Sequence, residues 1–429
     1  MNKLLALPFY PFYLLGRHKI LAVVLLILAI SVSPRIFFGF LSYSRDLELR
    51  YEDFILVFIL ISWLLYFFLT KHKIYKSVLW KPLVVYLSLA FFSTLFGVLA
   101  GYLEPIRACF YFLKEIQYFL IFFIVVNAVK NYKDFKIAIF ALLTAGLLNG
   151  TYVLYQIFSG KLMGYYGIAS IGETNSFPSG GYFALISIIT IVFFYFSRQK
   201  SIKMLFLICA LINILGLIGS SSRAAIISII FASLFWLIIL LKKKKIYQSL
   251  SVALLIFLLI LPLAIFFYQY YFKYTLYGWR TFNLEHGLES FNSRVELAYK
   301  PVLKSSLNNP IFGLGKSITG TNNSVTEAHN HYLRIYWEMG VIGLIAFLYL
   351  LLSILKKSLE TYRKGESLYI KATGLCCFLC TISLMTSALV QDAFTPVRVN
   401  EPYWIIVGLM IASYKINFNP KLCEKKSEF

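Results

Sequence analysis

Apolar runs of about 17 to 25 residues recur from one end of the chain to the other, and each has the length a helix needs to cross the hydrocarbon core of a bilayer. No other feature restricts the fold as strongly. About twelve such runs are legible, near residues 20–41, 54–70, 82–101, 109–128, 135–158, 181–197, 202–219, 222–241, 248–272, 332–355, 371–391 and 403–416. Hydrophobic residues make up 59% and charged residues 14%, more apolar side chain than a soluble domain of 429 residues could hide. The expected fold is an all-α polytopic membrane protein of about twelve transmembrane helices, organised as a single integral membrane domain over residues 1–429. The first run reads as a retained helix, because no small-residue cleavage site follows it.

The formal net charge of +22 invites a nucleic-acid partner, but its distribution excludes one. Basic residues collect in every second polar segment: Lys71, Lys73, Lys76 and Lys81; Lys130, Lys133 and Lys136; Arg198, Lys200 and Lys203; the lysine run 242–245; Lys356, Lys357, Arg363, Lys364 and Lys371; Lys421, Lys425 and Lys426. This is the positive-inside pattern. It puts these segments and both termini in the cytoplasm, in agreement with an even number of spans. Attraction to anionic membrane lipids is the ordinary role of such clusters.

The remaining segments, 42–53, 102–108, 159–180, 220–222, 273–331 and 392–402, then face outward. Residues 273–331 form the one long loop among them, and long loops between spans usually carry function. Cysteines give no disulfide framework: Cys109, Cys209, Cys376, Cys377 and Cys380 fall in apolar runs and Cys423 in the cytoplasmic tail. "CCFLC" has no histidine or carboxylate beside it and so no metal-site context. There is no Walker motif, dinucleotide fingerprint or zincin helix, which argues against a nucleotide-driven pump.

Outward chemistry therefore rests on few residues. Within the long loop, "SRVE" at 293–296 has the pattern of a capping box, and Val295, Ala298, Tyr299, Val302 and Leu303 follow at helical spacing. They make an amphipathic helix that can lie on the membrane, kinked or offset by Pro301. Arg294 would stand in its first turn against the helix dipole, so either an anionic partner relieves it or the headgroup region solvates it. In "GSSSRAAIISII", 219–230, one helix leaves and the next enters after a short turn. Ser220 to Ser222 offer caps, and Arg223 beside a helix N-terminus makes either an anion site or an arginine snorkelling to the interface. Two arginines on one side of the membrane favour a phosphate-bearing lipid more than either does alone.

"HNHYLRIYWEMGVIG", 329–343, holds two of the chain's five histidines where the long loop meets an apolar run. On a helix His331 would point about 200° away from His329, and no outward cysteine is available, so a metal site is not supported. His329 and Asn330 are then either interfacial polar residues at a helix start or a working pair with a neutral imidazole as general base. Arg334 and Glu338 are spaced to pair along that helix.

His329-Asn330, nine residues, Gly340, two residues, Gly343: this spacing resembles the hallmark of the bacterial O-antigen ligase superfamily, which includes O-antigen polymerases and protein O-oligosaccharyltransferases. "SSSRAA" resembles that family's Ser-Arg turn, and Ser293-Arg294 followed by "NNPIFGLG" resembles the stretch before its histidine. The span layout and the long loop also match. Relatives often carry an aromatic residue, commonly tryptophan, where Tyr299, Lys300 and Pro301 stand, and the loop is short for the family.

The resemblance implies a lipid-linked glycosyltransferase at the outer face of a bacterial inner membrane. The donor would be a glycan on undecaprenyl diphosphate, and the acceptor a sugar hydroxyl of lipid A core or another glycan. It implies His329 as the base, Arg223 and Arg294 on the leaving diphosphate, and inversion at the anomeric carbon. Ser222, Asn330 and Arg334 complete the expected substrate-binding set, with no metal and no cofactor. A polymerase would use the same donor with a lipid-linked acceptor. A lipid-linked glycan transporter would also use outward arginines, but it should place charges deep in several spans, where only Lys114 and Glu115 stand out. A non-catalytic assembly subunit would not need His329.

Overall fold

The computed structural model describes residues 10–42, 45–70, 75–161, 167–242, 284–318 and 327–418. Nine helices among these are long and apolar enough to cross a membrane. In chain order the helices are α1 (Tyr10–Arg17), α2 (Lys19–Val32), α3 (Tyr51–Thr70), α4 (Trp80–Leu99), α5 (Pro105–Ala128), α6 (Tyr132–Ser159), α7 (Ser176–Phe196), α8 (Lys200–Gly219) and α9 (Arg223–Lys242). After them come α10 (Leu284–Arg294), α11 (Lys300–Ser306), α12 (His331–Lys364), α13 (Leu368–Ser387) and α14 (Val397–Phe418). The protein is an all-α polytopic membrane protein. The expected run 248–272 lies outside the described residues.

The first expected run, 20–41, is not one span. Its helix stops at Val32, and Ser33-Pro34 leads into an antiparallel hairpin of β1 (Arg35–Ser42) and β2 (Arg45–Arg50). Proline cannot donate to a continuing helix. The aromatic and β-branched residues after it kept the apolar count high, and hydropathy alone does not separate such a strand from a helix.

Helices α7 and α13 form the centre of the bundle, with α8, α9, α12 and α14 around them. Close approach is licensed by small residues and closed by buried amides. A Cβ on Gly146 of α6 would meet Cys209 Sγ at 2.8 Å, and Asn213 Nδ2 of α8 donates to the Gly146 carbonyl at 3.1 Å. Arg50, the last residue of β2, meets Glu173 at 2.5 Å, and Arg398 of α14 stands 3.9 Å from the same carboxylate while donating to the Ile30 carbonyl. The hairpin, the 167–175 segment and α14 are thus joined.

The feature that shapes the functional region is a break in α12. Gly340 has φ +66° and ψ −169°, a conformation essentially reserved for glycine. The regular i→i−4 bonds of Val341 and Ile342 are therefore missing. Their N–H groups donate instead to Pro310 and Ile311 carbonyls, at 2.9 and 3.4 Å. The carbonyls released, Trp337 and Glu338, accept from Leu314 and Gly315 N–H at 3.0 and 2.8 Å. Glu338 O also accepts from Ser93 Oγ of α4 at 2.5 Å. The exchange pairs these four backbone groups with segment 310–315, which is how irregular backbone is tolerated inside a packed bundle.

Candidate functional site

Asn330 starts α12: its side chain accepts from Leu333 N–H at 3.0 Å and its Nδ2 donates to the Leu389 carbonyl at 2.9 Å. His331 N–H donates to Ala388 O at 2.9 Å. The helix start is therefore docked onto segment 388–396, between α13 and α14. His329 precedes the cap with φ +51°, a left-handed backbone conformation. The ring is 39% exposed, and Nδ1 lies 3.6 Å from Glu327 Oε2. His331 is buried, with Phe347 and Phe394 against its ring at centroid distances of 5.3 and 5.2 Å. The two histidines have unlike surroundings, as their spacing suggested.

Helix α10 enters the same junction. Ser293 lies inside it and Arg294 ends it, so the capping-box reading of 293–296 is overturned. Helical backbone continues past Arg294 to Ser306, and the Arg294 Nη1 donates to the Val390 carbonyl at 2.9 Å. Residues Val295–Tyr299 form a π-turn, and α11 follows with Pro301 in its first turn. Lys300 N–H donates to Val295 O, five residues back, so the wide turn supplies the offset expected at Pro301, which has no N–H of its own. The turn carries Tyr299 to the histidine: its hydroxyl donates to the His329 carbonyl at 3.2 Å.

Arg223 opens α9. The turn before it is made by Ser221 at φ +57°, and Ser222 O accepts from Ile226 N–H at 3.1 Å. Ser222 itself is buried against Gly180 of α7. A Cβ on Gly287 would lie 2.6 Å from Arg223 Nη1, so the guanidinium rests on α10 where that helix has no side chain. Gly287, on which Arg223 rests, and Arg294 thus lie on one short helix, about 10 Å apart along its axis at 1.5 Å per residue.

Arg334 is buried rather than open to a ligand. Its Nε donates to Glu338 Oε1 at 2.9 Å, the pairing expected from the spacing, and its Nη1 donates to Asp392 Oδ2 at 3.2 Å. Behind Glu338 stands Lys316, 3.0 Å from Oε2, with Glu115 Oε2 of α5 at 3.6 Å and Tyr86 Oη of α4 at 3.3 Å. Burial raises the Asp392 carboxyl above the usual aspartate range, against the pull of Arg334. Burial works to lower the Lys316 ammonium, but Glu115 and Glu338 outweigh it and hold it above the usual lysine value. Burial also raises the Tyr299 phenol, against Arg294.

The structure therefore brings together His329, Asn330 and Arg294, with Arg334 beneath them and Arg223 at the far end of α10. The sequence did not single out Asp392 as a partner of Arg334, or Lys316 as a partner of Glu338. The available signal was a lone lysine after Gly313-Leu314-Gly315 and a carboxylate, Asp392, at the start of a short polar segment. Among the described residues, no group of three or more His, Cys, Asp or Glu side chains could hold a metal ion.

Residues 208–348 match the family model described as O-antigen ligase. The match supports the O-antigen ligase superfamily. It runs from α8 through α9, α10 and α11 to the first half of α12, and so contains Arg223, Arg294, His329 and both sides of the Gly340 exchange. No curated protein matches the chain. The match supports a ligase- or polymerase-type glycan transferase.

Proposed function

We propose that the protein transfers a glycan from undecaprenyl diphosphate to a sugar hydroxyl of lipid A core, at the outer face of a bacterial inner membrane. One observation carries the reading: a half-exposed imidazole and an arginine, His329 and Arg294, are fixed to the same 388–396 segment, the arginine directly and the histidine through its neighbour Asn330. The second arginine, Arg223, lies against the helix that delivers the first. Base and anion grip are thus presented on one side of the membrane.

His329 is the general base. Glu327 faces Nδ1, so a proton held there leaves the Nε2 lone pair for the acceptor hydroxyl. The acceptor oxygen attacks the anomeric carbon as its proton passes to Nε2. The bond from that carbon to the phosphate oxygen breaks, and its electron pair leaves on the lipid diphosphate. Attack from the opposite face inverts the centre. The imidazolium formed is stabilised by Glu327. Arg223 and Arg294 bind the diphosphate and oppose its developing charge, and their planar forks suit phosphate oxygens better than ammonium groups do. Ser222 and Arg334 support the turn and the helix that present these groups. Asn330 fixes the start of α12 beneath the imidazole. The reaction so written uses no metal and no cofactor.

The test is transfer in nanodiscs, with purified protein, a lipid-linked glycan and two alternative acceptors: lipid A core and a second lipid-linked glycan. The expected outcome is extension of lipid A core by the wild type and none by His329→Ala. Extension of the lipid-linked acceptor instead assigns a polymerase. Transfer by His329→Ala at the wild-type rate removes the histidine from the mechanism.

A further inference from the structure

We propose that Lys316 is a positioning residue for glycan transfer, acting through the buried chain Lys316–Glu338–Arg334–Asp392. The proposal rests on the transfer reading of the His329 junction. Lys316 touches none of the groups at that junction. Its backbone N–H donates to Thr94 Oγ1 of α4 at 3.2 Å, and its side chain is buried between α4, α5 and α12. The ammonium reaches Glu338 Oε2 at 3.0 Å, while the other oxygen of that carboxylate accepts from Arg334 Nε at 2.9 Å. Arg334 then spends Nη1 on Asp392 at 3.2 Å.

Each link is needed by the next. A buried carboxylate between two cations is balanced, and a guanidinium between two carboxylates has its planar donors divided in a fixed direction. Two cations here face three carboxylates, counting Glu115 with Glu338 and Asp392. Removing the ammonium leaves Arg334 alone against all three. Both oxygens of Glu338 are then available to one guanidinium, and the bidentate grip on Glu338 competes with the single bond to Asp392. Asp392 belongs to the segment whose Leu389 and Val390 carbonyls hold Asn330 and Arg294. Release of Asp392 therefore loosens the anchorage of His329 and Arg294 together.

The experiment uses full-length protein in nanodiscs and measures donor KM and kcat for Lys316→Met, Lys316→Arg, Asp392→Asn and the double variant Lys316→Met/Asp392→Asn. Misplacement of reacting groups by about 1 Å costs on the order of 100-fold, so kcat of Lys316→Met is expected to fall about 10- to 100-fold with donor KM nearly unchanged. Lys316→Arg should recover most of it. The double variant should be no slower than the slower single one, since both break one chain. Wild-type kcat in folded Lys316→Met, or losses that multiply in the double variant, overturns the proposal. If Lys316→Met does not accumulate folded, Lys316→Gln removes the charge but keeps a polar donor for Glu338, and it carries the same expectation and the same refutation. His329→Ala is run beside them. If it transfers normally, the transfer reading fails; if it is inactive while Lys316→Met turns over normally, only the role of Lys316 fails.

Discussion

The Tyr299 hydroxyl donates to the backbone carbonyl of His329 at 3.2 Å, joining the π-turn at the end of α10 to the residue before the cap of α12. His329 holds a left-handed backbone conformation that few non-glycine residues adopt, and the contact helps to fix it.

Tyr299→Phe keeps the ring and removes the donor. A net hydrogen bond is worth about 0.5–1.5 kcal/mol. If that support is expressed in the position of His329, kcat for transfer should fall about 2- to 10-fold, since each 1.36 kcal/mol is tenfold in rate. Thermal stability should change little. Steady-state transfer assays with melting curves on the same preparations check this, and an unchanged kcat would detach Tyr299 from the histidine.

The two histidines should separate by phenotype. Loss of a general base costs about 10²- to 10⁴-fold, so His329→Ala should abolish measurable transfer while donor binding, assigned to the arginines, persists. His331 is packed between Phe347 and Phe394, and its replacement by alanine leaves a cavity. That variant should lose stability first and activity only in proportion to the folded fraction. Equal, small effects of both would remove both histidines as the general base.

What the sequence made legible follows from how local each signal was. Nine of the apolar runs and the Arg334–Glu338 pair depend on neighbours within a few residues, and these are present among the described residues. The hairpin at 35–50 was missed because "IFFGFL" reads the same to a hydropathy window whether it coils or pairs. The glycine spacing after Asn330 was visible as a pattern, but its reason was not. Gly340 must be bare because Pro310–Gly315, far back in the chain, exchanges backbone bonds with the break. Arg334 was expected to face the substrate, and its second partner, Asp392, lies 58 residues away across α13. Nothing within a helix turn of Arg334 could have announced it.

Gly287 offers a substitution whose structural and functional effects should have opposite signs. A Cβ there would meet only the tip of Arg223, a flexible side chain that can swing aside. Alanine is about 1 kcal/mol better than glycine inside a helix, so Gly287→Ala should hold or raise thermal stability. It should nevertheless displace the guanidinium from α10 and weaken transfer by about tenfold if Arg223 grips the diphosphate in place. A more stable, fully active variant would mean that the position of Arg223 is immaterial.

Gly340→Ala should do the reverse. The new Cβ would lie 2.1 Å from the Ile311 carbonyl oxygen and 2.3 Å from its carbon, both backbone atoms, at φ +66°. Strain of about 1–3 kcal/mol for the dihedral and a further 1–3 kcal/mol for overpacking fall on one residue. Segment 310–315 must then leave the break and abandon four backbone bonds. Folded yield by fluorescence-detected size exclusion should drop sharply; a well-folded, active variant would contradict the exchange described at Gly340.

Asp392 gives a pH dependence whose sign is fixed by its environment. Burial raises its carboxyl above the ordinary aspartate value, with Arg334 pulling the other way. The folded protein therefore holds that proton at a pH where the unfolded chain has lost it. The contribution of this group to stability is fully present below the unfolded value and is lost as pH rises through the folded one. Asp392→Asn cannot titrate, so the melting temperature of the wild type minus that of the variant should decrease as pH is raised from the ordinary aspartate range into the range of the raised carboxyl. Over the same window the carboxylate forms and its bond to Arg334 strengthens, so transfer by the wild type should increase relative to Asp392→Asn. Melting curves and initial rates taken on both proteins across that window check the two slopes. A stability difference that grows with pH would place the carboxyl of Asp392 below its ordinary value and make the arginine, rather than burial, the dominant influence.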